Sequence, residues 1–232
     1  ERIPANGLLV ANAADAEVRA VAANARCRVA YCALDGEDTG DVTPEWIAAP
    51  VAPSGELAAF DLFAAGNSCG RFMTPLFGAA NLRNALAAVA LCALAADAKV
   101  HRLSQALPKF GGVKRRQELR GIAAGVRVYD DFAHHPTAVF ETLRGFRDRH
   151  PESRLIALFE PRSATASRRM HQQAYEKAFE PAHITLLAPV GRAEMPEAER
   201  LDTKVLAAAI SDDRHTAEAL NSIDELIART LE

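Results

Sequence analysis

The sequence VYDDFAHHPT at residues 128–137 marks the place where a predicted strand gives way to a predicted helix. Val126, Val128 and Tyr129 belong to the apolar run of that strand, which we expect to be buried. Pro136 is well placed to open the helix, because the N–H that proline lacks is one that the first helical turn leaves unpaired. Four ionisable side chains fall on the turn between the two elements: Asp130, Asp131, His134 and His135. In open α/β sheets such a turn borders the crevice where ligands bind.

The chain of 232 residues has room for one large or two modest domains, with 49% hydrophobic and 25% charged residues. No apolar run approaches the roughly 20 residues that a membrane helix needs. A net charge of -3 gives no basic field for nucleic-acid phosphates. We therefore expect neither a membrane nor a nucleic acid as a partner.

The cysteines lie in apolar surroundings without a CxxC pair or zinc spacing, which favours buried, reduced thiols: Cys27, Cys32, Cys69 and Cys92. Reduced thiols are typical of the cytoplasm, and we expect that location. The chain begins at Glu1 without a methionine and lacks the basic-then-apolar order of a signal peptide. We expect it to be a piece of a longer protein.

Residues 1–110 form the first domain that the sequence predicts. Two apolar runs flank an alanine-rich helical stretch within residues 7–34, a pattern typical of a βαβ unit. Residues 35–55 show little periodicity and are interpreted as a loop with an edge strand. Alternating apolar residues at 57–76 predict antiparallel strands and hence a mixed sheet, and residues 81–96 predict a long helix.

Residues 111–232 form the second predicted domain, which begins at a Gly111-Gly112 hinge. Two strands at 116–122 and 126–131 are joined by a short turn. Helices and strands then alternate, which favours a mainly parallel, Rossmann-like sheet and an α/β fold class. The predicted elements are strands at 155–159 and 184–188 and helices at 138–149, at 167–179 and near Val205 and Leu226.

Four residues around the hinge and the strand end suit a nucleotide or its phosphates. Asp131 suits the hydroxyls of a ribose, and a helix cap or a turn explains an aspartate there equally well. His134 and His135 suit a phosphate or a metal, but adjacent histidines without a third well-spaced ligand are more often surface residues, and we predict no metal site. Arg116 suits a phosphate, and the alternative is a solvated strand end.

Two further groups of polar side chains follow predicted elements. Glu160, Arg162 and Ser163 come after the strand at 155–159, where an arginine suits a substrate carboxylate, whereas a cap of the following helix is the favoured explanation of the serine. Asn81 and Asn84 begin the long helix, and their amides can read an adenine edge. N-capping explains Asn81 as well, and Asn84 can simply face water. The order of these signals along the chain is more specific than any one of them.

Four motifs in this order resemble the Mur ligase family, the ATP-dependent amide ligases of bacterial peptidoglycan synthesis. They are GAANLRNALAA (78–88), FGGVKRRQELRG (110–121), VYDDFAHHPTA (128–138) and FEPRSATASRR (159–169). FAHHPTA and FEPRS are similar to the recycling branch of the family, which joins the tripeptide L-Ala-γ-D-Glu-meso-diaminopimelate to UDP-N-acetylmuramate. The alternatives are the branch that adds L-alanine and a non-catalytic nucleotide- or peptide-binding module.

The resemblance implies that residues 1–110 are the C-terminal part of a central ATP-binding domain and residues 111–232 most of the amine-substrate domain. It implies ATP and Mg²⁺ as cofactors and an acyl phosphate that the tripeptide amine attacks. The implied roles are adenine binding for Asn81 and Asn84, phosphate binding and catalysis for Arg116, ribose binding for Asp131, a place in the reaction centre for His134 and His135, and tripeptide binding for Arg162, Ser163 and Glu160.

Three features depart from the family pattern. No glycine-rich loop ending in GK[ST] occurs in these residues, so the segment that cradles the β- and γ-phosphates is absent from them. Ala80 stands where the family usually has a histidine. The chain stops at Glu232, before the glycine-rich strand and helix that the resemblance implies. We therefore predict that this fragment does not catalyse alone, and that a GxxGKT motif upstream separates a ligase from a binding module.

Overall fold

The computed structural model describes residues 2–191 and 195–232, and the chain divides into two compact units, Glu1–Lys114 and Arg115–Glu232. The division falls four residues after the boundary predicted behind residue 110. The first unit contains a mixed sheet and the second a parallel sheet, so the predicted α/β class is confirmed. Within the described residues, no helix has the length and the apolar character needed to cross a membrane.

The first unit is built on a sheet in the order β1-β2-β3-β4-β5. Its strands are β1 (Leu8–Asn12), β2 (Arg28–Leu34), β3 (Trp46–Ser54), β4 (Leu57–Ala64) and β5 (Asn67–Thr74). Its helices are α1 (Ala16–Ala22), α2 (Ala79–Ala95) and α3 (Val100–Ala106), followed by a short 3₁₀ helix (Leu107–Lys109). Strands β1 to β3 are parallel, and β4 runs antiparallel to both β3 and β5, which confirms the predicted mixed sheet.

Local sequence explains most of these elements. The Asp15 carboxylate caps α1 by accepting a hydrogen bond from the Val18 amide at 3.0 Å. Ala65 and Gly66 have φ values of 46° and 77°, the left-handed pair that a tight β-hairpin requires, and they join β4 to β5. The apolar face of α2 supplies the buried residues Leu86 and Val89 to the core of the unit.

Strand β3 corrects the prediction of an edge strand within residues 35–55, which was wrong. Trp46 is paired with Cys32 of β2 on one side and with Ala64 of β4 on the other. Its indole is 4% exposed, as expected for an inner strand. Pro50 and Pro53 obscured the pattern, because proline weakens a strand signal; both are exposed, and Pro53 lies in the irregular part of the β3–β4 pairing.

The second unit combines a β-hairpin with a layered α/β structure. Its strands are β6 (Glu118–Ala123), β7 (Val126–Asp130), β8 (Ile156–Phe159), β9 (Ile184–Leu187) and β10 (Thr216–Ala219). Its helices are α4 (Pro136–Arg149), α5 (Gln172–Ala178), α6 (Thr203–Ile210) and α7 (Ile223–Thr230), with short 3₁₀ helices at Arg169–His171 and Glu197–Glu199. Strands β8, β9 and β10 are parallel in the order β10-β9-β8, and Pro136 opens α4 as predicted.

Strand β7 is not the buried strand that the sequence predicts. It pairs with β6 in a two-stranded sheet, joined through the left-handed turn residues Ala124 and Gly125. Val126 and Val128 are 60% and 52% exposed. A hairpin needs only a local turn and leaves one face wet, so an apolar run alone does not decide whether a strand is buried.

Two other predictions in this unit need correction. The helix predicted at 167–179 begins only at Gln172, since the hydroxyls of Ser163 and Ser167 form local hydrogen bonds before it. Strand β10 was missed, because its sequence TAEA has no apolar run.

The core of the second unit lies on both faces of the parallel sheet. On one face, Phe159 of β8 contacts Tyr175 of α5 and Phe179, the residue after α5, with ring centroids 5.3 and 5.4 Å away. On the other face, Leu186 of β9 packs with Leu226 of α7. Burying side chains on both faces of the strands fixes them as the centre of the unit.

The cysteines are free thiols, but only one matches the predicted burial. Cys32 is buried, and burial raises the pKa of its thiol to about 12. Cys27 and Cys69 are half-buried and Cys92 is exposed, so the prediction of buried thiols was wrong for these three. Alanine-rich helix surfaces make Cys92 look apolar in sequence while it faces water.

A buried imidazole connects two strands of the parallel sheet. Nε2 of His215, just before β10, lies 2.8 Å from the Thr185 hydroxyl of β9, and both residues are buried. Burial lowers the pKa of His215 below its ordinary value of 6.5; Asp212 partly opposes this effect and His183 adds to it. The unfolded chain therefore binds a proton at a pH where folded His215 does not.

We predict that the free energy of unfolding falls as the pH drops from about 7.5 through 6.5 towards the lowered pKa of His215. The variant His215→Gln should lose much of this pH dependence, leaving a residual part from His183, whose pKa is also lowered by burial. Urea unfolding at a series of pH values measures it. Thr185→Val keeps the imidazole buried and should keep the acid destabilisation; an unchanged slope in His215→Gln would contradict the prediction.

Candidate functional site

The Asp131 carboxylate holds two separate pieces of backbone in the second unit. Its Oδ2 accepts a hydrogen bond from the Gln117 amide at 2.9 Å, and its Oδ1 accepts one from the Ala133 amide at 2.8 Å. The side chain is half-buried, and hydrogen bonds to a carboxylate are stronger than those between neutral groups. Asp131 thereby joins the segment before β6 to the loop after β7. The predicted turn-forming interpretation describes this geometry, and the ribose interpretation stays a prediction.

Arg116 lies in the segment that Asp131 holds. Its neighbours Arg115 and Gln117 both have left-handed backbones, with φ values of 58° and 49°. Each such residue costs about 1–2 kcal/mol relative to an ordinary conformation. The Arg116 side chain is exposed, and within the described residues its guanidinium makes no hydrogen bond or ion pair. The turn therefore presents an unpaired cation to solvent.

Arg115 fastens the same turn from the other side. Its amide donates to the Glu118 carboxylate at 2.8 Å, and its carbonyl accepts from the Phe132 amide at 2.8 Å. Its guanidinium lies 5.0 Å from the centroid of the Phe132 ring and 3.4 Å from the Asp130 carboxylate. These contacts connect the turn to Asp130 and Phe132 of the motif, so Arg115 supports the position of Arg116.

The paired histidines occupy the loop between β7 and α4. Nδ1 of His134 lies 2.9 Å from the Phe132 carbonyl, which can only accept, so this nitrogen carries a proton. The His134 carbonyl accepts a hydrogen bond from the Tyr175 hydroxyl of α5. The ring of His135 is exposed and lies 5.2 Å from that of His171. The structure thus brings Asp131, the Arg116 turn and both histidines into one hydrogen-bonded stretch.

Glu160, Arg162 and Ser163 lie on the loop after β8, as predicted. The Glu160 side chain is exposed. Arg162 runs along Gly191, where an added Cβ would lie 3.0 Å from the Arg162 Cγ. The Ser163 hydroxyl accepts from the Ala166 amide at 3.0 Å, which closes a turn and not a helix N-terminus. Ser163 is therefore committed to its own loop.

Asn81 and Asn84 belong to the first unit and take different environments. Asn81 is 7% exposed, and its Nδ2 donates to the Phe77 carbonyl at 3.0 Å. The N-cap of α2 is Gly78, with φ 84°, so the N-capping interpretation of Asn81 was wrong. Asn84 is exposed, and its Nδ2 lies 3.5 Å from the Asn81 Oδ1. Of the two amides, that of Asn84 is open to solvent.

The sequence did not indicate the residues that support this arrangement. Glu118 has a weak local signal, since an acid three residues after Arg115 can reach its amide. Tyr175 and His171 have none, because they contact the histidine loop across the fold. In the described ranges, no group of three or more His, Cys, Asp and Glu side chains could hold a metal ion.

The family model and the relatives found by sequence point to one family. The family model described as Mur ligase, glutamate ligase domain, matches residues 115–232. The UDP-N-acetylmuramate–L-alanine ligase of Anaeromyxobacter sp. is 37% identical over 75% of this chain and 37% of that protein. The ligase of the same name from Clostridium acetobutylicum is 28% identical over 97% of this chain and 47% of that protein.

A solved structure supports the same relationship. The murein peptide ligase of Psychrobacter arcticus has a TM-score of 0.64 and 27% identity, covering 98% of this chain and 46% of that one. The chain thus spans less than half the length of each of these three proteins. The matched range 115–232 coincides with the second compact unit, which carries Arg116, Asp131 and the paired histidines. The resemblance indicated by the four motifs is confirmed, and the chain belongs to the Mur ligase family.

Proposed function

We propose that this chain is part of an ATP-dependent amide ligase that joins the tripeptide L-Ala-γ-D-Glu-meso-diaminopimelate to UDP-N-acetylmuramate in peptidoglycan recycling. Membership of the Mur ligase family supports a ligase. The similarity to a murein peptide ligase over 98% of the chain is the observation that supports the tripeptide. In this proposal the first unit belongs to the ATP-binding domain, the second unit binds the amine, and the protein acts in the cytoplasm.

The proposed reaction has two steps. A carboxylate oxygen of the muramate attacks the γ-phosphorus of ATP, which releases ADP and forms an acyl phosphate. The tripeptide nitrogen then attacks the carbonyl carbon, phosphate leaves with the electrons of the broken C–O bond, and the nitrogen loses a proton. Such chemistry depends on positioning and on compensation of charge more than on covalent participation by the protein.

Arg116 and Asp131 are the residues that we assign to ATP. The unpaired Arg116 guanidinium suits phosphate oxygens, whose charge it can compensate during transfer. Each Asp131 oxygen accepts one backbone hydrogen bond and retains a second lone pair, which suits a ribose hydroxyl. For adenine we assign Asn84 before Asn81, because the Asn81 amide already donates to the Phe77 carbonyl.

We assign His134 to accept the proton that the attacking amine loses. With its Nδ1 proton directed at the Phe132 carbonyl, its Nε2 carries a lone pair that can accept a proton. His135 is exposed beside it, and we assign it to the same reaction centre. On the loop after β8, the Arg162 guanidinium suits a substrate carboxylate, with Glu160 and Ser163 as neighbours.

Mg²⁺ is expected with ATP, where it would compensate phosphate charge. The described residues contain no cluster of ligands that fits it, and we assign no magnesium ligand to this chain.

The second candidate is ligation of L-alanine to UDP-N-acetylmuramate. The specific observation in its favour is that relatives with 28% and 37% identity carry that name. The two candidates share the ATP chemistry and differ in the amine, so the amine decides between them.

We predict that the full-length protein consumes ATP and forms the UDP-muramyl tripeptide when given UDP-N-acetylmuramate and the tripeptide. Phosphate release and mass spectrometry of the product measure the reaction. L-Alanine at equal concentration should support little turnover. Turnover with alanine and not with tripeptide would establish the second candidate, and binding of ATP without any ligation would favour a non-catalytic module.

We predict that Arg116→Ala lowers kcat/KM for ATP in the full-length protein by roughly one to two decades, because a charge-assisted phosphate contact is worth about 1.5–3 kcal/mol. Steady-state kinetics with ATP varied measures this loss. Arg127→Ala is the matched control, since Arg127 is also an exposed arginine, on β7. Equal kinetics of the two variants would remove Arg116 from the phosphate site.

We predict that Asp131→Asn accelerates amide hydrogen exchange at Gln117 and Ala133, because a single amide oxygen cannot reproduce both carboxylate hydrogen bonds. The effect needs no nucleotide and is measured on this chain by NMR. Asp130→Asn is the control: its exposed ion pair with Arg115 contributes little, so these amides should stay protected. Unchanged exchange in Asp131→Asn would show that the carboxylate does not hold the turn.

A further inference from the structure

We propose that Tyr175 is a positioning residue for the paired histidines: its buried hydroxyl holds the carbonyl of His134 and thereby sets where the rings of His134 and His135 stand. The catalytic consequence rests on the proposed ligase function. The structural part of the inference does not, because it concerns a contact within the second unit.

The Tyr175 ring cannot readily move. It is completely buried, and it packs between Phe159, at 5.3 Å, and Phe179, at 6.2 Å between ring centroids. Close-packed aromatic neighbours restrict a side chain to one rotamer. The hydroxyl therefore stands at a fixed point of the core, on the side facing the loop before α4.

The hydroxyl is also a permanent donor. Burial raises the pKa of Tyr175, so the proton stays on the oxygen across the physiological range. Its partner is the main-chain carbonyl of His134, far away in sequence. A buried hydroxyl without a partner is costly, so the core favours the loop conformation in which this carbonyl is in reach.

The histidine loop is restrained on both sides of this contact. Upstream, the Ala133 amide donates to Asp131. Downstream, Pro136 begins α4 and confines His135 to an extended backbone, observed at φ -94° and ψ 142°. The Tyr175 hydrogen bond holds the peptide between these two restraints. Loss of this hydrogen bond frees the peptide between His134 and His135, and rotation of that peptide changes the direction of both imidazoles.

The segment that carries Tyr175 also contacts His135 directly. His171, four residues before Tyr175, has its ring 5.2 Å from that of His135 and 6.5 Å from that of Tyr175. One short segment therefore supplies a hydrogen bond to the first histidine and a ring neighbour to the second. Core packing alone does not require these two contacts, and both hold the paired histidines in place.

The test compares Tyr175→Phe with Tyr129→Phe. Each substitution removes a single hydroxyl. Tyr129 is the matched control because its ring packs against Phe146, while its hydroxyl has no hydrogen bond in the described part of the chain.

On this chain labelled at histidine, Tyr175→Phe should shift the ring resonances of His134 and His135. Tyr129→Phe should change neither. In the wild-type chain, the Tyr175 hydroxyl proton should be observable as a slowly exchanging resonance close to His134, a measurement that requires no variant to fold. Absence of that proton signal, or unchanged histidine resonances in a folded Tyr175→Phe, overturns the inference.

In the full-length protein, Tyr175→Phe should lower kcat about tenfold while leaving KM for ATP within about twofold, because misplacement of a reacting group affects the chemical step. A merely structural role predicts a lower melting temperature without this split. Wild-type kcat in Tyr175→Phe would refute the catalytic consequence. A protein without ligase activity would refute the proposed function, and the histidine resonances would still decide the positioning.

Discussion

The two backbone hydrogen bonds of the Asp131 carboxylate are the constraint on which the candidate site depends. They join the turn before β6, which carries Arg116, to the loop after β7, which carries His134 and His135. Arg115 and Gln117 adopt left-handed backbones at a cost of about 1–2 kcal/mol each. Hydrogen bonds to a charged group contribute about 1.5–3 kcal/mol each, which is enough to offset that cost. The turn that exposes Arg116 exists because an acid fifteen residues later holds it.

The aromatic core of the second unit extends this constraint to the histidines. Phe159 and Phe179 fix the Tyr175 ring, and the Tyr175 hydroxyl holds the His134 carbonyl. Hydrophobic burial thereby determines the place of a polar loop from which Ala133 also packs against the core. Core packing thus fixes the backbone of the histidine loop, and the imidazole side chains extend from that fixed backbone.

The sequence predicted well the features that depend on neighbouring residues. The Ala124-Gly125 turn, the start of α4 at Pro136 and the antiparallel strands around Gly66 follow from local backbone preferences, and each is present. Whether β7 is buried depends on which strands pair with it, and strand pairing is a long-range property that an apolar run does not encode. Asp131 and the histidines are neighbours in sequence, so the motif singled them out as candidates. Tyr175 contacts them from a distant helix, and such a long-range contact gives no signal in the sequence. Asn81 shows the limit within a helix: the residue type suits a ligand, but its amide is turned to Phe77.

The hydrogen bonds and ring contacts described above for the Arg116 turn, Asp131 and His134 join residues within Arg115–Glu232, the second unit. A ligand that meets groups already held in place loses less conformational freedom on binding than one that must order a flexible loop. The same argument applies to catalysis, since donors and charges that are fixed before the reaction need no reorganisation as charge develops. The left-handed turn and the buried tyrosine therefore favour a candidate site whose geometry is set by folding.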